Sequence, residues 1–143
     1  MRVRSGGCVG RIKTRQTNED CIAIDPNGSF FILAAGMGSN ESGALASRST
    51  CETIVRTLVP KREQIDALAS DARPDARKML MAALRDALHQ AEREIFKLAG
   101  SNRSLKGLAS TCDLVYLANG TAYIAHVGDS RVYLLRGDTG RQL

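Results

Sequence analysis

Between Asp75 and Leu98 the apolar residues return at helical spacing, and from Thr111 onward they alternate. That change of period sets a helix before a run of strands. Leu80, Leu84, Ala87, Leu88, Ala91, Ile95 and Leu98 make one stripe, with Arg, Glu and Lys opposite, which predicts a long amphipathic helix lying on a core. Gly100 stands where a glycine just past the last turn would stop it. Thr111–Ala118, Thr121–Val127 and Arg131–Arg136 then read as strands, and Asn119-Gly120 between the first two is a strong hairpin signal. Gly137-Asp138-Thr139-Gly140 supplies another turn, and Arg141-Gln142-Leu143 reads as the first residues of one more strand.

The front of the chain repeats the strand signal. Residues 7–12 and 20–25 read as short strands, and Phe30–Ala35 as a more buried third. Asp25-Pro26-Asn27-Gly28 joins the last two as a turn, with proline presetting φ and glycine tolerating positive φ. A loop, Gly36-Met37-Gly38-Ser39, leads to a predicted helix over Glu41–Leu58, with Ala44, Ser47, Cys51, Val55 and Leu58 on one face and Pro60 ending it. Lys61–Pro74 reads as a charged connector with a short helical turn around Ile65, Leu68 and Ala69. Strands, then two long helices, then strands predict an α+β fold on an antiparallel sheet, not βαβ units.

A chain of 143 residues suits one domain. No window approaches the ~18 apolar residues of a membrane helix, and the basic start lacks the apolar segment of a secretory signal. The net charge of +5 comes from scattered residues with only three Phe and three Tyr beside them, so it reads as a solvated surface and not a nucleic-acid site. Cys8, Cys21, Cys51 and Cys112 form no C-x-x-C pair, and His89 and His126 lie far from any cysteine cluster, which argues against zinc. Buried free thiols imply a reducing, cytoplasmic compartment.

Three polar stretches lie beside the apolar strands. Arg15-Gln16-Thr17-Asn18-Glu19-Asp20 sets adjacent carboxylates at a strand start, where they repel unless a cation, a donor or water compensates; hard cations such as Mg²⁺ and Mn²⁺ take such oxygens. By itself the stretch reads first as a solvated polar turn. Ala35-Gly36-Met37-Gly38 follows a buried strand, where glycine permits close backbone approach. Val127-Gly128-Asp129-Ser130-Arg131 separates two strands and reads, by itself, as a turn.

In this order the three stretches resemble the protein phosphatase 2C (PPM-type) family, whose members share an N-E-D segment, a D-G-M-G loop and a G-D-S-R turn. Val9-Gly10, Gly43, Ala46-Ser47 and Ser110-Thr111 extend the match, which covers about residues 5–143. The resemblance implies an αββα sandwich of antiparallel sheets flanked by two long antiparallel helices. It implies a binuclear Mn²⁺ or Mg²⁺ centre that hydrolyses phosphoserine and phosphothreonine in proteins. Carried over, Asp20 would bind one metal with Glu19 supporting its water, Gly36 would offer its carbonyl, Asp129 would help hold a third, weaker metal, and Arg15 would grip the substrate phosphate. The implied partners are a phosphorylated protein or a signalling kinase.

Two departures modify that expectation. Ala35 occupies the position of the family's metal-bridging aspartate. Two divalent ions repel about four times as strongly as two unit charges at the same distance, so an anionic bridge matters more than a peripheral ligand. The S-D-G and G-x-D-N segments that supply two further aspartates in the family do not occur in these 143 residues. The chain therefore reads as the front part of such a domain, 1–143, truncated at the C-terminus, with open sheet edges that favour self-association. Little or no hydrolysis is expected from it alone. The alternatives are a pseudophosphatase acting as a binding or regulatory module and a non-functional gene fragment.

Overall fold

The structure, a computed structural model, describes residues 6–7, 17–38 and 41–143. Strands β1 (Asp20–Ile24) and β2 (Phe30–Met37) pair antiparallel around the predicted turn, in which Gly28 N donates to Asp25 O at 2.8 Å. Helix α1 spans Glu41–Leu58, and a 3₁₀ turn over Val59–Lys61 carries Pro60. Helix α2 follows over Arg62–Ser70 and α3 over Pro74–Ser101. Then come β3 (Ala109–Ser110), β4 (Cys112–Ala118), β5 (Thr121–Val127), β6 (Tyr133–Arg136) and β7 (Thr139–Gln142). All pairings are antiparallel: β1-β2-β4-β5 form one sheet, with β3 also on β2, and β6-β7 form a separate hairpin.

Alternation divides the main sheet's residues between two faces. Phe30, Ile32, Ala34, Cys112, Leu114 and Tyr116 turn toward the helices and are buried with Ile54 and Leu58 of α1 and Leu80 and Leu84 of α3. The other face carries Ile22, Leu33 and Val115 beside Asp20, Ala35, Asp113 and His126. Leu33 there is 42% exposed.

Several local expectations change. The segment read as a connector is a nine-residue helix, α2, because more than a turn of apolar spacing is usable: Ile65 is fully buried. Asp25, enclosed in the β1–β2 turn, pairs with Arg62 at the start of α2, and Tyr116 Oη donates to Asp66 Oδ1 at 2.9 Å. Both contacts join residues far apart in sequence, and so escape local pattern reading. Gly100 does not end α3; the helix continues through Ser101, and extended Asn102 stops it while its side chain accepts from Ser104 N. On α1 the buried face also includes Ala46, Thr50 and Ile54, whereas Ala44 and Val55 are only half-buried. The strand expected from Arg131 begins at Tyr133, and of the turn Gly137–Gly140 only Gly137 and Asp138 lie outside the ladder, since Thr139 already pairs with Arg136. Residues 8–12 of the first expected strand lie outside the described residues, as do Arg15 and Cys8.

Candidate active site

The register brings the polar stretches to one end of the main sheet. Asp20 stands opposite Ala35, and Gly36 opposite Ser110. Thr111 N donates to Ala35 O at 2.9 Å, and Cys112 faces Val127, so the row continues through Thr111 to Gly128. Directly opposed side chains share a face, with Cβ atoms ~5 Å apart. A carboxylate at position 35 would therefore stand beside that of Asp20; the methyl of Ala35 stands there instead. Asp129 follows Gly128 at the far side of the row. Three strand spacings of about 4.8 Å put it on the order of 14 Å from Asp20, too far for one ion to touch both.

Each residue is held by its own local arrangement. Asn18 Oδ1 accepts from Asp20 N at 2.8 Å, turning the chain into β1 with the Asp20 side chain exposed. Gly36 N donates to Glu19 O at 2.8 Å. A Cβ on Gly36 would lie 1.8 Å from Gly43 O, so only glycine lets the first turn of α1 sit against the end of β2. The Glu19 side chain lies against that same turn: a Cβ on Gly43 would be 3.0 Å from Glu19 Cδ. A carboxylate near a helix N-terminus is favoured by the helix dipole.

Thr111 is the residue that sequence reading undervalued. It is buried, and its Oγ1 accepts from Ala35 N at 3.2 Å and from Ser130 Oγ at 2.7 Å. Ser110 Oγ donates to Ala35 O at 3.3 Å. At Gly128, with φ +107°, a Cβ would meet Thr111 Cγ2 at 2.7 Å. One hydroxyl thus ties the G-D-S-R turn to the backbone of position 35.

A second unforeseen group lies one row further along the same face. Asp113 is buried, and its Oδ1 is 2.7 Å from His126 Nδ1, while its Oδ2 has no hydrogen-bond partner among the described residues. The hydrogen bond to Asp113 holds the imidazole above its ordinary pKa. Elsewhere, burial pushes the Cys112 thiol up to about 12 and raises Cys51 further, so neither is a ready thiolate. Cys21, Cys51 and Cys112 are all free.

The donor set at the row does not fit a divalent metal pair by itself. Asp20 is one exposed carboxylate facing a methyl, and among the described residues no three His, Cys, Asp or Glu side chains gather to hold an ion.

What the three stretches share is one end of an antiparallel sheet backed by two long helices, and that placement is the architecture of a PPM-type phosphatase domain. The sequence carries the assignment further: this chain belongs to the protein phosphatase 2C family, whose model matches residues 9–143. The serine/threonine phosphatase Stp of Listeria welshimeri is 34% identical over 137 residues, covering 94% of this chain and 50% of that protein. The crystal structure of the Mycobacterium tuberculosis serine/threonine phosphatase PstP/Ppp superposes with a TM-score of 0.72 at 26% identity, over 95% of this chain and 51% of that one. A PstP catalytic domain in complex with two manganese ions shares the fold, with a TM-score of 0.74 over 95% of this chain and 52% of that one, at 24% identity. The chain thus spans about half the length of the relatives it matches.

Proposed function

We propose that these 143 residues form a PPM-type phosphatase module that does not hydrolyse phosphoesters unaided, and that serves instead to engage phosphoserine or phosphothreonine proteins or a kinase that makes them. The observation that carries this reading is the register Asp20 opposite Ala35, which leaves the position directly across from Asp20 without a side-chain oxygen. Arg15 is the residue proposed to grip the phosphate, with Asp20, Glu19, Gly36 and Asp129 as what remains of the Mn²⁺ or Mg²⁺ ligation. The pseudophosphatase reading draws on the intact scaffold around that row: Thr111, Ser130, Gly36 and Gly43 stay closely fitted although the bridging carboxylate is missing. A reducing, cytoplasmic setting accords with the free buried thiols.

The test is phosphopeptide hydrolysis with Mn²⁺ by the chain and by its Ala35→Asp variant, alongside phosphopeptide binding by the chain and by Arg15→Ala. No turnover above background is expected from the unaltered chain, and weaker phosphopeptide binding from Arg15→Ala. Appreciable Mn²⁺-dependent turnover without the substitution would refute the non-hydrolysing reading. Unchanged phosphopeptide affinity in Arg15→Ala would refute the binding role.

A further inference from the structure

Between β5 and the outer side of α3 runs a groove of about 1450 Å³. Among the described residues β5 is the last strand of the main sheet, so one side of its backbone has no partner strand. Its sequence, Thr121–Val127, carries no Pro and no Lys, the residues that commonly blunt an open edge. Val127 on the strand is 50% exposed, and across the groove Met81 is 37% and Phe96 71% exposed. An apolar groove beside an unpaired edge offers both ladder hydrogen bonds and side-chain burial to whatever covers it.

The helix wall also carries Arg77 and Lys78 at one end, and two charges nearer its middle say what that is. Arg85 and Glu92 are exposed and face the same groove. Arg85 takes part in no ion pair of its own chain among the described residues, whereas Glu92 Oε2 lies 3.2 Å from His89 Nδ1. The two are placed symmetrically in sequence: Arg85 precedes Leu88 by three positions, and Glu92 follows His89 by three. Met81 and Phe96 stand seven positions before and after the same centre. An antiparallel second α3, related by a twofold axis through Leu88–His89, therefore sets each Arg85 against the other copy's Glu92. The same operation sets each Met81 against the other Phe96, which is the self-complementarity an isologous interface requires. The two β5 edges pair antiparallel and join the sheets where the same twofold also crosses β5.

We propose that this face is a homodimer interface, with the β5 edges and the α3 stripes of two copies meeting antiparallel. The inference rests on the groove and its charge pattern, independently of any phosphatase activity. Sedimentation equilibrium over a concentration series tests it on the chain, on Arg85→Glu, on Glu92→Arg and on the double variant, with circular dichroism to check folding. Dimerisation is expected in the unaltered chain. Each single variant should weaken it by on the order of tenfold, since the pair occurs twice per interface. The double variant should restore it. A chain that stays monomeric throughout overturns the proposal. So does a dimer indifferent to the single substitutions, or one that the double variant fails to recover.

Discussion

At the scale of single residues, the most informative groups are two that hydrogen-bond across strands. Thr111 accepts from Ala35 N and from Ser130 Oγ while buried. Thr111→Val keeps the shape and removes the oxygen, leaving two donors to find water or stay unpaired, at roughly 1–3 kcal/mol for each buried one. Urea unfolding should show a loss of that order for Thr111→Val and a much smaller one for Thr111→Ser; equal losses would mean that the methyl, and not the hydroxyl, matters. His126 gives a pH dependence of definite sign. Its folded pKa is raised by Asp113, so its stabilisation is fully present below its unfolded value of about 6.5 and is lost as pH rises through the folded value. The melting temperature should therefore fall across that window more steeply for the chain than for His126→Gln. The difference should be small, because the imidazole is partly exposed. Identical pH profiles would remove the Asp113 pair from the stability of the fold.

At the scale of elements, the sequence displayed what repeats locally and concealed what is joined at a distance. Helix α1 and strand β5 have the boundaries their patterns predict, and Asn119-Gly120 makes the expected tight hairpin, with φ of +45° and +73°. That hairpin alone could have revealed the Asp113–His126 pair, because a two-residue turn at 119–120 fixes every partner across β4 and β5. Ala35 was legible as a missing carboxylate, but its position opposite Asp20 required the register. Of helix α2 only a short turn around Ile65, Leu68 and Ala69 was legible; its full length also depends on the long-range pairing of Asp25 with Arg62 and of Tyr116 with Asp66. Its apolar anchor is Ile65, fully buried on a short helix. Ile65→Ala should cost about 2–5 kcal/mol. Hydrogen exchange should show protection lost first in α2, with α1 and α3 retained; uniform loss throughout the molecule would show that α2 is not a separable element.

At the scale of the whole molecule, the sheet end and metal affinity are linked through stability. A ligand that binds only the folded chain stabilises it by RT ln(1 + [L]/Kd), about 4 kcal/mol at a thousandfold excess. If the row from Asp20 to Gly128 held Mn²⁺ with micromolar affinity, millimolar Mn²⁺ would thus raise the melting temperature by roughly ten degrees in a domain of this size. The geometry predicts otherwise. Asp20 faces a methyl, Asp129 is several strands away, and among the described residues no three His, Cys, Asp or Glu side chains gather there. The melting temperature of the unaltered chain is therefore expected to stay within about a degree when Mn²⁺ is added and when a chelator follows it. Ala35→Asp should behave differently in two respects. Without metal, two facing carboxylates on one sheet face repel, so the variant should melt below the parent. With Mn²⁺, that deficit should shrink as the cation offsets the repulsion. A parent chain stabilised by several degrees would mean that the row binds metal without a carboxylate at position 35. A variant that melts like its parent, with and without Mn²⁺, would mean that positions 20 and 35 do not interact across β1 and β2.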